Sequence, residues 1–227
     1  MSFERERRGW RRTIRFAGRE WGVKTSSGTP CGPGPNVFSD DARTVWVDED
    51  GRLHLRIARR DGAWPCAEVA ALAPLGPGTY AFHLEDPGEL DPNVVLGLFL
   101  YAGPNREIDV EHARFGNLDD PANAQFTVQP LGDGTPAFAR RFRLDDGDGP
   151  VTHEIEWRGD AVSFQSVRSV SGEVIAAESS ASVPADGPGD RVRARINLWL
   201  HEGRPPTNGE ECEVVVAGFA FTPARDE

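Results

Sequence analysis

Along most of the chain, apolar and polar residues alternate at every second position, in short runs closed by Gly, Pro, Asp or Asn. This is the period of a half-buried β-strand, and regular punctuation of this kind is what an antiparallel sandwich or barrel requires. TVWVDEDGRLHLRI is the clearest instance: residues 45–47 and 53–57 flank the turn-rich DEDG and predict a hairpin. Further strands are predicted at 11–16, 78–84, 94–101, 106–112, 124–129, 138–144, 151–157, 161–167, 173–179, 191–200 and 211–222. No stretch sustains helical periodicity over three turns, and the 18 prolines and 25 glycines would interrupt most that tried. The expected class is all-β.

Two neighbouring runs break the simple alternation. VVLGLFLY (94–101) is apolar on both faces, as a central strand covered on each side would be. After the short turn AGPN comes REIDVEH, in which Glu107, Asp109 and Glu111 share one face of the strand while Ile108 and Val110 share the other. Pairing with a central strand would set three carboxylates in a row in the middle of a sheet. Like charges so placed repel one another, and desolvation raises their pKa values. No internal repeat is visible, and the loops are too short to serve as interdomain linkers. The reading is one domain over residues 1–227, with 1–9 as a candidate disordered arm.

Composition narrows the function. A formal net charge of −11 argues against a nucleic-acid partner, which calls for a basic footprint. The arginine-rich N-terminus is followed by no apolar h-region, and no run of about 18 apolar residues appears, so neither a signal peptide nor a membrane span is expected. That makes the expected location cytoplasmic, or extracellular if a leader has been removed. Cys31, Cys66 and Cys212 form no CxxC, and the five histidines form no HxxxH or HxH pair, so no catalytic metal and no cofactor is expected. Either one disulfide, Cys31 with Cys66, or three free thiols fits the count. No dense Asp/Asn loop asks for a structural calcium ion, and DDGDG (145–149) reads as a turn.

The carboxylate row has a solvated-face reading, which is what charged alternation on a strand usually means. Its chemical reading is glycoside hydrolysis. Retaining glycosidases use two carboxyl groups about 5 to 5.5 Å apart, one as nucleophile and one as acid/base. At about 3.3 Å per residue, the Cα atoms of Glu107 and Glu111 stand about 13 Å apart on a flat strand, so the side chains must lean together. Asp109 between them could drive their pKa values apart.

EIDVE resembles the EIDIE signature of glycoside hydrolase family 16, in particular the bacterial lichenases. The similarity continues colinearly over roughly residues 30–222. LFLYAGPN resembles an FFTYTGP-like strand. CAEV with GPGTYAF resembles CGENRS with GYGLYEV, AQFTVQP resembles VQFNYY, and RINLWLHEG resembles the MNLW segment. The resemblance implies a β-sandwich jelly roll of two curved antiparallel sheets with a concave substrate cleft. It also implies a retaining endo-β-glycanase acting on a β-1,3/1,4-glucan-like polysaccharide or oligosaccharide as a monomer. By the same resemblance Glu107 would be the nucleophile, Asp109 its hydrogen-bonding helper and Glu111 the general acid/base. Substrate contacts would come from Asn36, Glu68, Tyr101, Asn105, Gln125, Gln129, Asn197 and Trp199.

This chain departs from the pattern at two aromatic positions. Lichenases carry Trp where Asn105 stands and Tyr where Gln129 stands, so stacking gives way to hydrogen bonding. Two other functions stay open on the same scaffold: a transglycosylase and a non-catalytic, lectin-like carbohydrate-binding protein. His112 is expected to be a structural histidine on the face opposite the acids. Trp10, Trp21, Trp46 and Trp157 are expected to be packing residues, and Trp64 is read equally as packing or as cleft lining near Glu68.

Overall fold

The structure, a computed structural model, describes residues 10–103, 106–131, 136–145, 149–159, 161–180 and 192–224. Asn105 and the proposed 1–9 arm lie outside the described residues. Among the described residues, fifteen strands, numbered in chain order, form two antiparallel sheets. The first runs β1 (Arg12–Phe16), β2 (Arg19–Val23), β5 (Ala67–Ala71), β14 (Arg193–Leu200), β7 (Val94–Gly103), β8 (Arg106–His112), β9 (Ala124–Leu131) and β10 (Pro136–Phe142). The second runs β13 (Val174–Ser180), β12 (Ala161–Arg168), β11 (Val151–Arg158), β6 (Gly78–Leu84), β15 (Cys212–Pro223), β4 (Leu53–Ile57) and β3 (Val45–Val47). The sheets stack as a jelly-roll sandwich.

The inward residues of each strand make one continuous core. Leu96, Leu98, Leu100, Ile108, Val110, Ile196 and Leu198 of the first sheet face Leu53, Leu55, Tyr80, Phe82, Leu84 and Val216 of the second. Burial of this kind contributes about 25 cal/mol per Å² of apolar surface, and it fixes register, because a one-residue slip of β8 would drive its acids into the core. Trp21 and Trp157 are buried in this cluster and Trp46 stacks on His54. Trp10 lies so close over Gly22 that any Cβ there would meet its ring at 2.2 Å.

The predicted hairpin at 45–57 is β3–β4, and every predicted strand has its counterpart within a few residues. Two strands were not predicted. β2 is only five residues long, with Glu20 and Gly22 inside it, and is turned back on β1 by a two-residue connection, Ala17 (φ 47°) and Gly18 (φ 73°). Positive φ at both positions is the type I′ geometry that matches strand twist, and Gly18 adopts it without steric cost. β5 reads AEVAA and is buried on both faces, so no alternation announces it. All three cysteines are free, which decides between the two readings of the count; burial pushes the Cys66 thiol up to about 12.

Candidate active site

The outer face of the eight-stranded sheet carries a cleft of about 550 Å³, and register explains the part of its lining that the strands supply. Strand pairing lines up Glu68 of β5, Asn197 of β14, Gly97 of β7, Glu111 of β8, Gln125 of β9 and Arg141 of β10 in a single row across six strands. The next row runs Arg195, Phe99, Asp109, Thr127. Because side chains alternate, all of these stand on the same face. Gly97 sits at the floor for lack of room: an added Cβ would lie 2.5 Å from Asn197 Oδ1.

Glu107, Asp109 and Glu111 all line the cleft, while Ile108 and Val110 are buried in the core behind them. Burial raises all three carboxyls, and Asp109, only 5% exposed, is driven well above the usual carboxylate range by burial and by the charges of Glu107 and Glu111. Asp109 is hydrogen-bonded to Glu107 and to Gln129. A protonated Asp109 donating to Glu107 relieves two adjacent charges at once. Burial pushes Glu107 up too, opposed by the Asp109 hydrogen bond and by the Arg195 and Lys24 cations. Glu111 is raised to about 7 by burial and by Glu107, against a 2.6 Å hydrogen bond from Gln125 Nε2. The two glutamates thus differ in their partners: Glu107 takes the Asp109 hydrogen bond and the Arg195 and Lys24 charges, and Glu111 takes the Gln125 hydrogen bond and the Arg141 charge.

The resemblance-derived contact residues fare unequally. Tyr101, Gln125, Gln129, Asn197 and Trp199 line the cleft. Asn197 is 4% exposed and its Oδ1 has no partner; Gln129 Oε1 is likewise buried without one. Buried acceptors left open in a cleft are set to receive donors from a ligand. Glu68 also lines it, but with 1% exposure and both oxygens taken, by Lys24 Nζ at 2.7 Å and by Arg195 Nη1 at 2.9 Å. It anchors two cations. Asn36 is a correction: it does not line the cleft. Its Nδ2 donates to the carbonyls of Pro33 and Leu200, both at 2.8 Å, holding the loop whose Gly32 and Pro33 line the cleft. Trp64 packs against the core and is likewise absent from the lining.

His112 faces the core, as expected. Its Nε2 is 2.8 Å from Nε2 of His153, whose Nδ1 is 2.7 Å from Ser166 Oγ. Burial pushes His112 down to about 4 and His153 well below its ordinary value, so the pair is neutral.

Several lining residues were missed. Gly97, Phe99, Thr127 and Arg195 each follow by period two from a residue already singled out, so the signal was present. Arg195 lies 4.5 Å from the Tyr101 ring centroid, covering one face of it. Lys24 follows the unrecognised β2 and rests 3.9 Å from the Phe38 ring centroid. Phe115 comes from the β8–β9 connection and makes edge contact with His201, which also neighbours Trp199. It returns to the cleft an aromatic surface that the loss at positions 105 and 129 had removed. Among the described residues, no group of three or more His, Cys, Asp or Glu side chains is placed to hold a metal ion.

No protein-family model matches the chain, and no curated protein matches it. Solved structures do. A β-1,3-glucanase from Mycobacterium marinum is 20% identical with a TM-score of 0.69, covering 89% of this chain and 90% of its own. A protein described as an immunostimulatory antigen and pseudo β-1,3-glucanase of Mycobacterium tuberculosis is 23% identical with a TM-score of 0.71, covering 90% and 91%. A β-glucanase from Bacillus licheniformis is 17% identical with a TM-score of 0.64, covering 89% and 92%. The chain therefore has the fold of the glycoside hydrolase family 16 proteins, a lichenase-like jelly roll.

Proposed function

We propose that the protein is a retaining endo-β-glycanase that cleaves a β-1,3/1,4-glucan-like polysaccharide. One observation carries the reading: three carboxyls on one face of β8 line an open cleft, with Asp109 hydrogen-bonded to Glu107 and Gln125 donating to Glu111. Glu107 attacks the anomeric carbon; the Asp109 hydrogen bond and the nearby Arg195 and Lys24 charges favour its ionised form. Glu111, raised to about 7, carries the proton that the leaving glycosidic oxygen takes up. Now ionised, it accepts a proton from the water that hydrolyses the glycosyl-enzyme, completing net retention. Asn197 Oδ1 and Gln129 Oε1 accept from sugar hydroxyls, and Trp199 and Phe115 offer ring faces.

A second reading, a non-catalytic carbohydrate-binding protein, is favoured by the pseudo-glucanase described among the similar structures and by the lean aromatic lining of the cleft. The deciding experiment is reducing-end release from laminarin, mixed-linkage glucan, xyloglucan, agarose and carrageenan by wild type and by Glu107→Gln. Activity on one polymer that vanishes in the variant supports hydrolysis. Equal inertness of both, with retained binding to one polymer, would replace it with the binding reading. Oligosaccharide products longer than the substrate would point to transglycosylation.

A further inference from the structure

Arg141 stands at the end of the register row that holds Glu111. Its Nη2 donates to Ala113 O at 2.9 Å, to the Asp120 carboxylate at 2.7 Å and to Ala122 O at 2.9 Å, tying the β8–β9 connection to β10. Its guanidinium lies 5.4 Å from the Phe115 ring centroid, and its Nη1 lies 3.5 Å from Gln125 Oε1. Guanidinium has donors and no acceptor, so the Gln125 atom that faces it must be the amide oxygen. The amide nitrogen is then turned toward Glu111, where it donates at 2.6 Å. A flipped amide would set donor against donor on one side and oxygen against the carboxyl on the other.

We propose that Arg141 is a positioning residue for the acid/base: by fixing the Gln125 amide and the Phe115-bearing connection together, it determines which hydrogen bond Glu111 receives. This rests on the glycanase reading for what Glu111 does, but not for how Glu111 is held. Without Arg141, Gln125 is free to present its oxygen, which bonds the protonated acid and not the carboxylate. The midpoint of Glu111 should therefore rise beyond the increase that loss of the Arg141 charge brings by itself. The other charges acting at this site are few. Glu107 and Asp109 share the strand, Gln125 and Thr127 of β9 are neutral, and Gly97 and Phe99 of β7 carry no charge. Arg195 of β14 and Glu68 of β5 act around Glu107, and Asp120 lies on the far side of Arg141.

The test follows Glu111 ionisation in the free protein by NMR of ¹³Cδ-labelled glutamate, assigned with Glu111→Gln. Arg141→Met should raise the midpoint by about 0.5 pH unit or more, and in a Gln125→Ala background the same substitution should give less than half that shift. Arg141→Lys keeps the charge but loses the fork, so it should move the midpoint in the same direction and serves if Arg141→Met does not fold. An unchanged midpoint, or an equal shift with and without Gln125, overturns the proposal. Where a polymer is hydrolysed, the alkaline limb of kcat/KM should move with the midpoint. A midpoint that moves in a protein inert toward every polymer would sink the glycanase reading and leave the hold on Glu111 standing.

Discussion

Replacing Glu111 with glutamine should stabilise the protein at the same time as it removes the acid/base. The folded state lifts this carboxyl from 4.5 to about 7, chiefly through burial. At 1.36 kcal/mol per pH unit, the difference corresponds to roughly 3 kcal/mol. The sign follows from proton counts. Between pH 4.5 and 7 the folded protein keeps a proton that the unfolded chain has lost, so stability is present in full below pH 4.5 and falls as pH rises to 7. Glu111 retains some contact with the open cleft, and screening there reduces the effect, leaving an expected gain of about 1–2 kcal/mol for Glu111→Gln at pH 8. At pH 4.5 or below, the gain should vanish. Urea unfolding of both proteins at pH 4.5 and pH 8, with m values compared to confirm the same two-state transition, reads this directly. Comparing the two proteins at each pH cancels the opposing titration of the buried histidines. A variant no more stable than wild type at pH 8, or more stable by the same amount at both pH values, would refute the claim that burial of an ionisable acid costs this fold stability.

The histidine pair predicts the opposite trend at acid pH. Because His112 and His153 stay neutral in the fold, the unfolded chain takes up protons below pH 6.5 that the folded one does not. Stability should fall by about 1.4 kcal/mol per pH unit per histidine between pH 6.5 and 4, and His112→Leu/His153→Leu/Ser166→Ala should flatten that limb in thermal melts. Glu68→Ala should cost about 2–4 kcal/mol in chemical denaturation, since it leaves the Lys24 and Arg195 cations without their shared carboxylate; a loss below about 1 kcal/mol would show that solvent already compensates them.

Much of this was legible in the chain because a sheet has only two faces. The alternation in REIDVEH placed three acids together and set Ile108 and Val110 in the core, and the doubly apolar VVLGLFLY placed its strand beside them. Extending the same period from Asn197 and Trp199 reaches Arg195, and from Gln125 and Gln129 reaches Thr127. What period cannot reach is what arrives from outside the strands. Phe115 lies in a connection, with φ at 50°, and Arg141 acts through a row of partners that only register reveals. Asn36 misled because a polar residue near a cleft is as useful for holding a loop as for holding a sugar, and its two carbonyl partners are visible only in three dimensions.

The place of β14 between β5 and β7 sets the order in which the molecule can be made. Residues 193–200 pair with strands that end at Ala71 and Gly103, so until this late segment has been synthesised the first sheet stays split into two parts with unpaired edges. Such edges are templates for pairing with other chains, and long-range pairings of this kind slow folding. The strand that brings Asn197, Arg195 and Trp199 to the cleft is also the one that joins the two parts. A chain ended before β14 would therefore lack Arg195, Asn197 and Trp199 in the cleft, leave two sheet edges unpaired and be prone to aggregate.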